Sequence, residues 1–140
     1  MIGVGSPLRG DDAAGRIVAE QVADLGLPGV EARSAHQLTP ELAADWLGRR
    51  MVIVVDADVE VADVTVRGIE RPAAPAALTH HVDPAALLAI AALLGEPPVH
   101  VEVISLPVHD LGLGTQLSAP AAAAVERAVA LLRERCIQPA

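Results

Sequence analysis

Residues 3–12 read Gly3-Val4-Gly5-Ser6-Pro7-Leu8-Arg9-Gly10-Asp11-Asp12. An apolar stub, two closely spaced glycines and then an acid pair predict a strand that runs through a tight loop into a helix. Residues 1–5 supply the strand, and Gly3 and Gly5 are expected to end it in a turn. Asp11 and Asp12 open the helix, which runs to about Leu25 with Ala14, Ile17, Val18, Val22 and Leu25 on one face. Two acids in a first turn suit the positive end of the helix dipole. Gly26 and Pro28 stop the helix.

The same alternation continues outward. Val30–Arg33 reads as a weak second strand. Thr39 and Pro40 start a helix that carries Leu42, Ala43, Trp46 and Leu47. Met51-Val52-Ile53-Val54-Val55 is a β-branched run of the kind buried on both sheet faces, and it ends in Asp56. Val64 and Val66 alternate with polar residues, as in a half-exposed edge strand. Residues 70–78 read as a Pro- and Ala-rich loop. Asp83-Pro84 begins a helix that closes at Gly95, Val99, Val101 and Val103 mark a strand, and Ser118 caps a last helix carrying Val125, Ala128, Val129 and Leu132. Strands alternating with helices predict a three-layer α/β sandwich, with residues 1–140 as one domain.

Composition narrows the partners. The chain has 140 residues, is 52% hydrophobic and carries a net charge of −8 with no lysine. An acidic chain without a basic block lacks the footprint of a nucleic-acid binder. With one Trp and no Phe or Tyr it also lacks a base-stacking platform. The acidic surface disfavours anionic membranes, and the longest apolar run, Ala85–Leu94, is too short to span a bilayer. A lone Cys136 excludes an intrachain disulfide. With no leader sequence recognised at the start, a cytoplasmic protein is expected.

Three positions carry candidate chemistry. The loop is not Gly-x-Gly-x-x-Gly, because position 8 is Leu, and Ser34 stands where a ribose-binding acid belongs. It has no Gly-Lys-Ser/Thr either, so it is not a phosphate-binding P-loop. What it does carry is Asp11-Asp12, either a plain helix cap or, since a cap needs one acid, a cap plus a free carboxylate. Asp56 follows a buried strand at the sheet edge where open α/β folds bind ligands, although Asp56-Ala57-Asp58 also suits a turn. His80-His81 precedes a helix start and is either an idle pair or a source of an imidazole ligand. Two carboxylates and an imidazole make a mixed set suited to zinc or nickel. Cys136 near a chain end, His36 in a loop and His109-Asp110 in a turn are poorer candidates, and no Gly-x-Ser-x-Gly elbow exists.

Gly-x-Gly-x-x-Leu-x-Gly-Asp-Asp, then a strand ending in Asp56-Ala57, then a His just before a helix: in this order the motifs resemble the hydrogenase maturation endopeptidases, from Met1 to about Arg135. The resemblance implies a three-layer α/β/α sandwich around a twisted, mostly parallel five-stranded sheet. It implies an endopeptidase that removes the C-terminal extension of a nickel–iron hydrogenase large-subunit precursor after nickel insertion. The family's metal-contacting acid, Asp and His carry over onto Asp12, Asp56 and His81; loop spacing favours Asp12 over Asp11, and distance to the next helix favours His81 over His80. Nickel is then expected from the substrate protein, with zinc or cadmium as other ions the site accepts. The chain departs from the family where Glu is common at Asp12, Asn at Ser6 and Asp-Gly-Gly-Thr at Ser34-Ala35-His36-Gln37, which marks a divergent branch. That altered run motivates an alternative, a non-catalytic binding module for metalloenzyme maturation. A nucleotide-binding domain rests on the glycines alone.

Overall fold

A computed structural model describes residues 1–72 and 82–137. Its core is the β-branched run. Strand β3 (Met51–Asp58) sends Val52 and Val54 to one face of the sheet and Ile53 and Val55 to the other. All four are buried, so alternation along one strand feeds two separate cores. On the first face, Val52 and Val54 join Trp46, Leu87, Leu88 and Ala91 beneath helices α2 (Leu42–Asp45) and α3 (Pro84–Leu94). On the second, Ile53 and Val55 join Val18, Val22, Val125 and Leu132 beneath α1 (Ala14–Leu25) and α4 (Ala119–Ile137). Full burial of each such aliphatic side chain contributes roughly 1.5–3 kcal/mol.

The sheet contains β1 (Ile2–Val4), β2 (Arg33–Ala35), β3, β4 (Thr65–Gly68) and β5 (His100–Pro107) in the order β2-β1-β3-β5-β4. All pairings are parallel except β4 with β5, so the expected mostly parallel five-stranded sandwich is present. The exposed β4 is the predicted edge strand. Among the described residues no helix is long and apolar enough to cross a membrane.

Several boundaries move. Gly3 lies inside β1, paired with Ser34 on one side and Val55 on the other, rather than in a turn. It is glycine because α1 crosses the strand there: a Cβ on Gly3 would overlap the Gly15 carbonyl oxygen, and one on Gly15 would overlap that of Val55. The second strand begins at Arg33, not Val30. A turn from Leu27 to Val30, with Gly29 at φ 73°, delays the chain until the Arg33 N–H donates to the Met1 carbonyl. Val30 and Ala32 still pack against the second core, but from a loop. Strand β3 continues to Asp58, two residues past its expected end, because β5 pairs with it through Pro107.

Helix ends follow local chemistry. Gly26, at φ 59°, closes α1 in a left-handed cap. Asp83 accepts from the Ala86 N–H at 2.7 Å with Pro84 behind it, as expected for the start of α3. The Ser118 hydroxyl likewise accepts from Ala121 N–H at the start of α4. The helix predicted from Thr39 is reduced to four residues: the Thr39 and Pro40 carbonyls, not the Thr39 hydroxyl, accept from Leu42 and Ala43 in single turns.

Candidate active site

The chain runs from β1 outward to β2, then crosses back to β3 on the other side of β1. The β1–β3 seam is therefore the topological switch point, where the connections leave in opposite directions and open a crevice at the C-terminal strand ends. Asp12 follows β1 and Asp56 lies in β3 at that edge, near enough that the charge of Asp12 raises the pKa of Asp56.

A single turn of 3-10 helix, Gly10–Ala13, precedes α1, and Ala13 takes the cap position without a side-chain cap bond. Neither acid is a helix cap. Asp12 is half-buried, and one of its carboxylate oxygens accepts from the Ser6 N–H at 2.8 Å. Ser6 is itself buried, and its hydroxyl accepts from Leu8 N–H at 3.4 Å. Gly5 makes this turn possible, since a Cβ there would overlap the Asp12 carbonyl oxygen. Gly3 and Gly5 thus admit the chain's own helix to the strand, and Gly10 admits the loop after β5, where a Cβ would lie 2.6 Å from the Asp110 carbonyl oxygen.

Asp11 does something local sequence patterns do not signal. It is fully buried, and its carboxylate accepts from the backbone N–H groups of His109, Asp110 and Ser118 and from the Ser118 hydroxyl, all at 2.7–2.8 Å. Burial alone would raise its pKa, but the bonds from Ser118, His109 and Asp110 outweigh it and hold the carboxyl below its usual range. This clasp ties the loop after β5 to the turn that carries Asp12. Its only advance sign is an acid pair where one acid suffices.

Asp56 is partly buried beside Ser105 of β5. Burial pushes its carboxyl up to about 6, the Ala57 N–H opposes the rise, and the charges of Asp12 and Asp58 add to it. A carboxyl near neutrality next to a second carboxylate is a pair able to hold and move a proton. The contribution of Asp58 was not anticipated.

The third predicted residue, His81, and its neighbour His80 lie outside the described residues, as does most of the predicted 70–78 loop. Among the described residues no group of three or more His, Cys, Asp or Glu side chains is placed to hold a metal ion. His36 follows β2 and is exposed. His109 is exposed too, and among the described residues only its backbone is engaged, in the expected turn where Gly112 N–H donates to Asp110. Cys136 lines a cavity of about 600 Å³ with Ile2, Trp46, Val52 and His100, at the opposite edge of the sheet from the carboxylates.

Fold and site together define an α/β sandwich with paired carboxylates at the switch point. No family model and no curated protein matches the chain. Solved structures do. HycI, a [NiFe] hydrogenase maturation protease from Thermococcus kodakarensis, superposes with a TM-score of 0.76 at 22% identity, covering 98% of this chain and 90% of its own. The hydrogenase maturating endopeptidase HybD from E. coli gives 0.71 at 24%, covering 96% and 91%. A hydrogenase 2 maturation peptidase from a Thaumarchaeota archaeon gives 0.70 at 26%, covering 96% and 94%. The resemblance read from the loop motif is borne out: the chain is similar to hydrogenase maturation endopeptidases over nearly its whole length, at the low identity of a divergent branch.

Proposed function

We propose that this protein is an endopeptidase that removes the C-terminal extension of a nickel–iron hydrogenase large-subunit precursor. The observation that carries the reading is the meeting of Asp12 and Asp56 at the switch point of a fold shared with named maturation proteases. Asp12, Asp56 and, from the sequence, His81 contact the nickel already held by the precursor. This mixed oxygen and nitrogen set also suits zinc or cadmium. The metal supplies polarisation of the scissile carbonyl. The protein's own part is proton traffic: between them the two carboxylates accept a proton from the attacking water and return one to the leaving amine as the C–N bond breaks. The enzyme is aspartic-type in its working groups and acts in the cytoplasm, on a protein partner rather than on nucleic acid or membrane.

The test is incubation with nickel-loaded precursor, followed by mass spectrometry of the large subunit. Loss of the extension with wild-type protein, and none with an Asp12→Ala/Asp56→Ala double variant, is the expected result. Cleavage by the double variant overturns the role given to the two carboxylates; a stable complex that wild-type protein never processes sinks the protease reading and favours a binding module.

A further inference from the structure

The loop before Asp12 and the loop after β5 form one rigid platform. Gly10 N–H donates to the Gly114 carbonyl at 3.0 Å, Gly114 N–H to that of Leu8 at 2.9 Å, and Asp11 N–H to that of Asp110 at 2.8 Å. The buried Asp11 carboxylate locks both loops from beneath. Despite this rigidity the platform turns leucines outward: Leu113 is 93% exposed, Leu8 61% and Leu111 38%. Residues 111–117, Leu-Gly-Leu-Gly-Thr-Gln-Leu, carry no charge in a chain of net charge −8. Exposed leucines held together on two hydrogen-bonded loops, with Arg9 and Asp110 at their margin, make an apolar patch with a polar rim, the kind of surface that marks an interaction site.

What covers it follows from where it lies. Ser6, at the root of the first loop, is bonded to Asp12, and Asp11 bonds to the second loop, so both loops of the platform lead off from the turn that carries Asp12. A peptide bond that reaches Asp12 and Asp56 belongs to a continuous chain, and each extended residue spans only about 3.3–3.6 Å. The two or three residues beside that bond must therefore rest on the rim of the site. We infer that the Leu8–Leu111–Leu113 platform is the docking surface for an apolar segment of the substrate polypeptide adjoining the cleaved bond. This rests on the endopeptidase reading and adds which side of the site the chain occupies and what side chains it brings. The leucines act by holding the segment; they take no part in the proton transfers.

The experiment measures binding and cleavage separately. Wild-type protein, Leu8→Glu/Leu113→Glu and the control Leu93→Glu are compared for affinity to nickel-loaded large-subunit precursor, then for KM and kcat of its processing. Leu93 is 76% exposed on α3, outside the platform. The platform variant is expected to bind roughly tenfold more weakly or worse, with KM raised to match and kcat within about twofold, while the control matches wild type. Equal binding by platform variant and wild type overturns the docking surface and leaves the protease reading intact. Weakened binding of a precursor that wild type holds but never cuts supports the surface and sinks the protease reading. Failure of wild type to bind overturns the inference, as does sedimentation showing a wild-type dimer that the platform variant abolishes, because a second copy is then the occupant.

Discussion

Asp11 holds Ser118 twice, through its backbone N–H and its hydroxyl, at 2.7 Å each across 107 positions of sequence. With His109 and Asp110 it makes four such bonds from a site closed to water. Truncation to Ala leaves buried donors without an acceptor, and each such loss costs about 1–3 kcal/mol. Asp11→Ala is expected to destabilise the fold by about 3 kcal/mol or more, read as a lower urea midpoint. The acid limb changes as well. A carboxyl depressed below its ordinary 3.8 contributes stability that is present above that value and is lost as pH falls through the lower folded pKa. The variant should therefore lose less stability than wild type on acidification below pH 4.

Asp56 has the opposite sign. Its folded pKa of about 6 exceeds the ordinary 3.8, so the native state binds the proton more tightly than the unfolded chain. Stability then falls as pH rises from about 4 to 6 and levels off above, by up to roughly 3 kcal/mol. Asp56→Asn abolishes that fall and is expected to be more stable than wild type at pH 7. Asp12→Asn removes a nearby negative charge and should move the Asp56 midpoint downward. Side-chain carboxyl NMR titration reads both, and an Asp56 midpoint near 4 in wild type would contradict the burial argument.

What could be read in advance divides by range. Strand β3 was legible because four consecutive apolar residues are buried on alternating faces, a pattern local to the strand. Asp83 and Ser118 were legible as caps for the same reason. Strand β2 was misplaced because three residues carry little pattern, and its register is set by β1 rather than by its own sequence. The roles within Asp11-Asp12 were not separable locally, since what distinguishes them is a loop about 100 residues away. That Asp12 and Asp56 share one edge was legible because each ends a strand-centred motif, and the strand order brings those motifs to one seam.

The close approach of α1 to the sheet gives a third test. A Cβ on Gly15 would overlap the Val55 carbonyl and lie 2.8 Å from that of Val4, both backbone atoms that cannot swing aside. Gly15→Ala must lift α1 off the β1–β3 seam. Overpacking of this kind costs about 1–3 kcal/mol, against the roughly 0.5–1 kcal/mol that Ala gains in an unobstructed helix. Denaturant unfolding should show clear destabilisation. Processing should fall too, because α1 follows directly on the turn that sets Asp12.

Asp12→Asn separates chemistry from architecture. The structural duty of Asp12 is to accept one hydrogen bond from Ser6 N–H, and an amide oxygen also accepts that bond, somewhat more weakly. Stability is expected to stay within about 1 kcal/mol of wild type. An amide neither takes a proton from water nor carries the negative charge that a metal-contacting oxygen needs. Positioned proton transfer is worth about 10²–10⁴ in rate, so processing of nickel-loaded precursor should drop at least a hundredfold. The two readouts together decide the role: a folded, inactive variant identifies Asp12 as a working carboxylate, whereas a folded variant that still removes the extension assigns it only the loop. Asp11→Asn is the counterpart, with stability as its first loss, because its amide places N–H groups against the buried N–H donors that the carboxylate accepts.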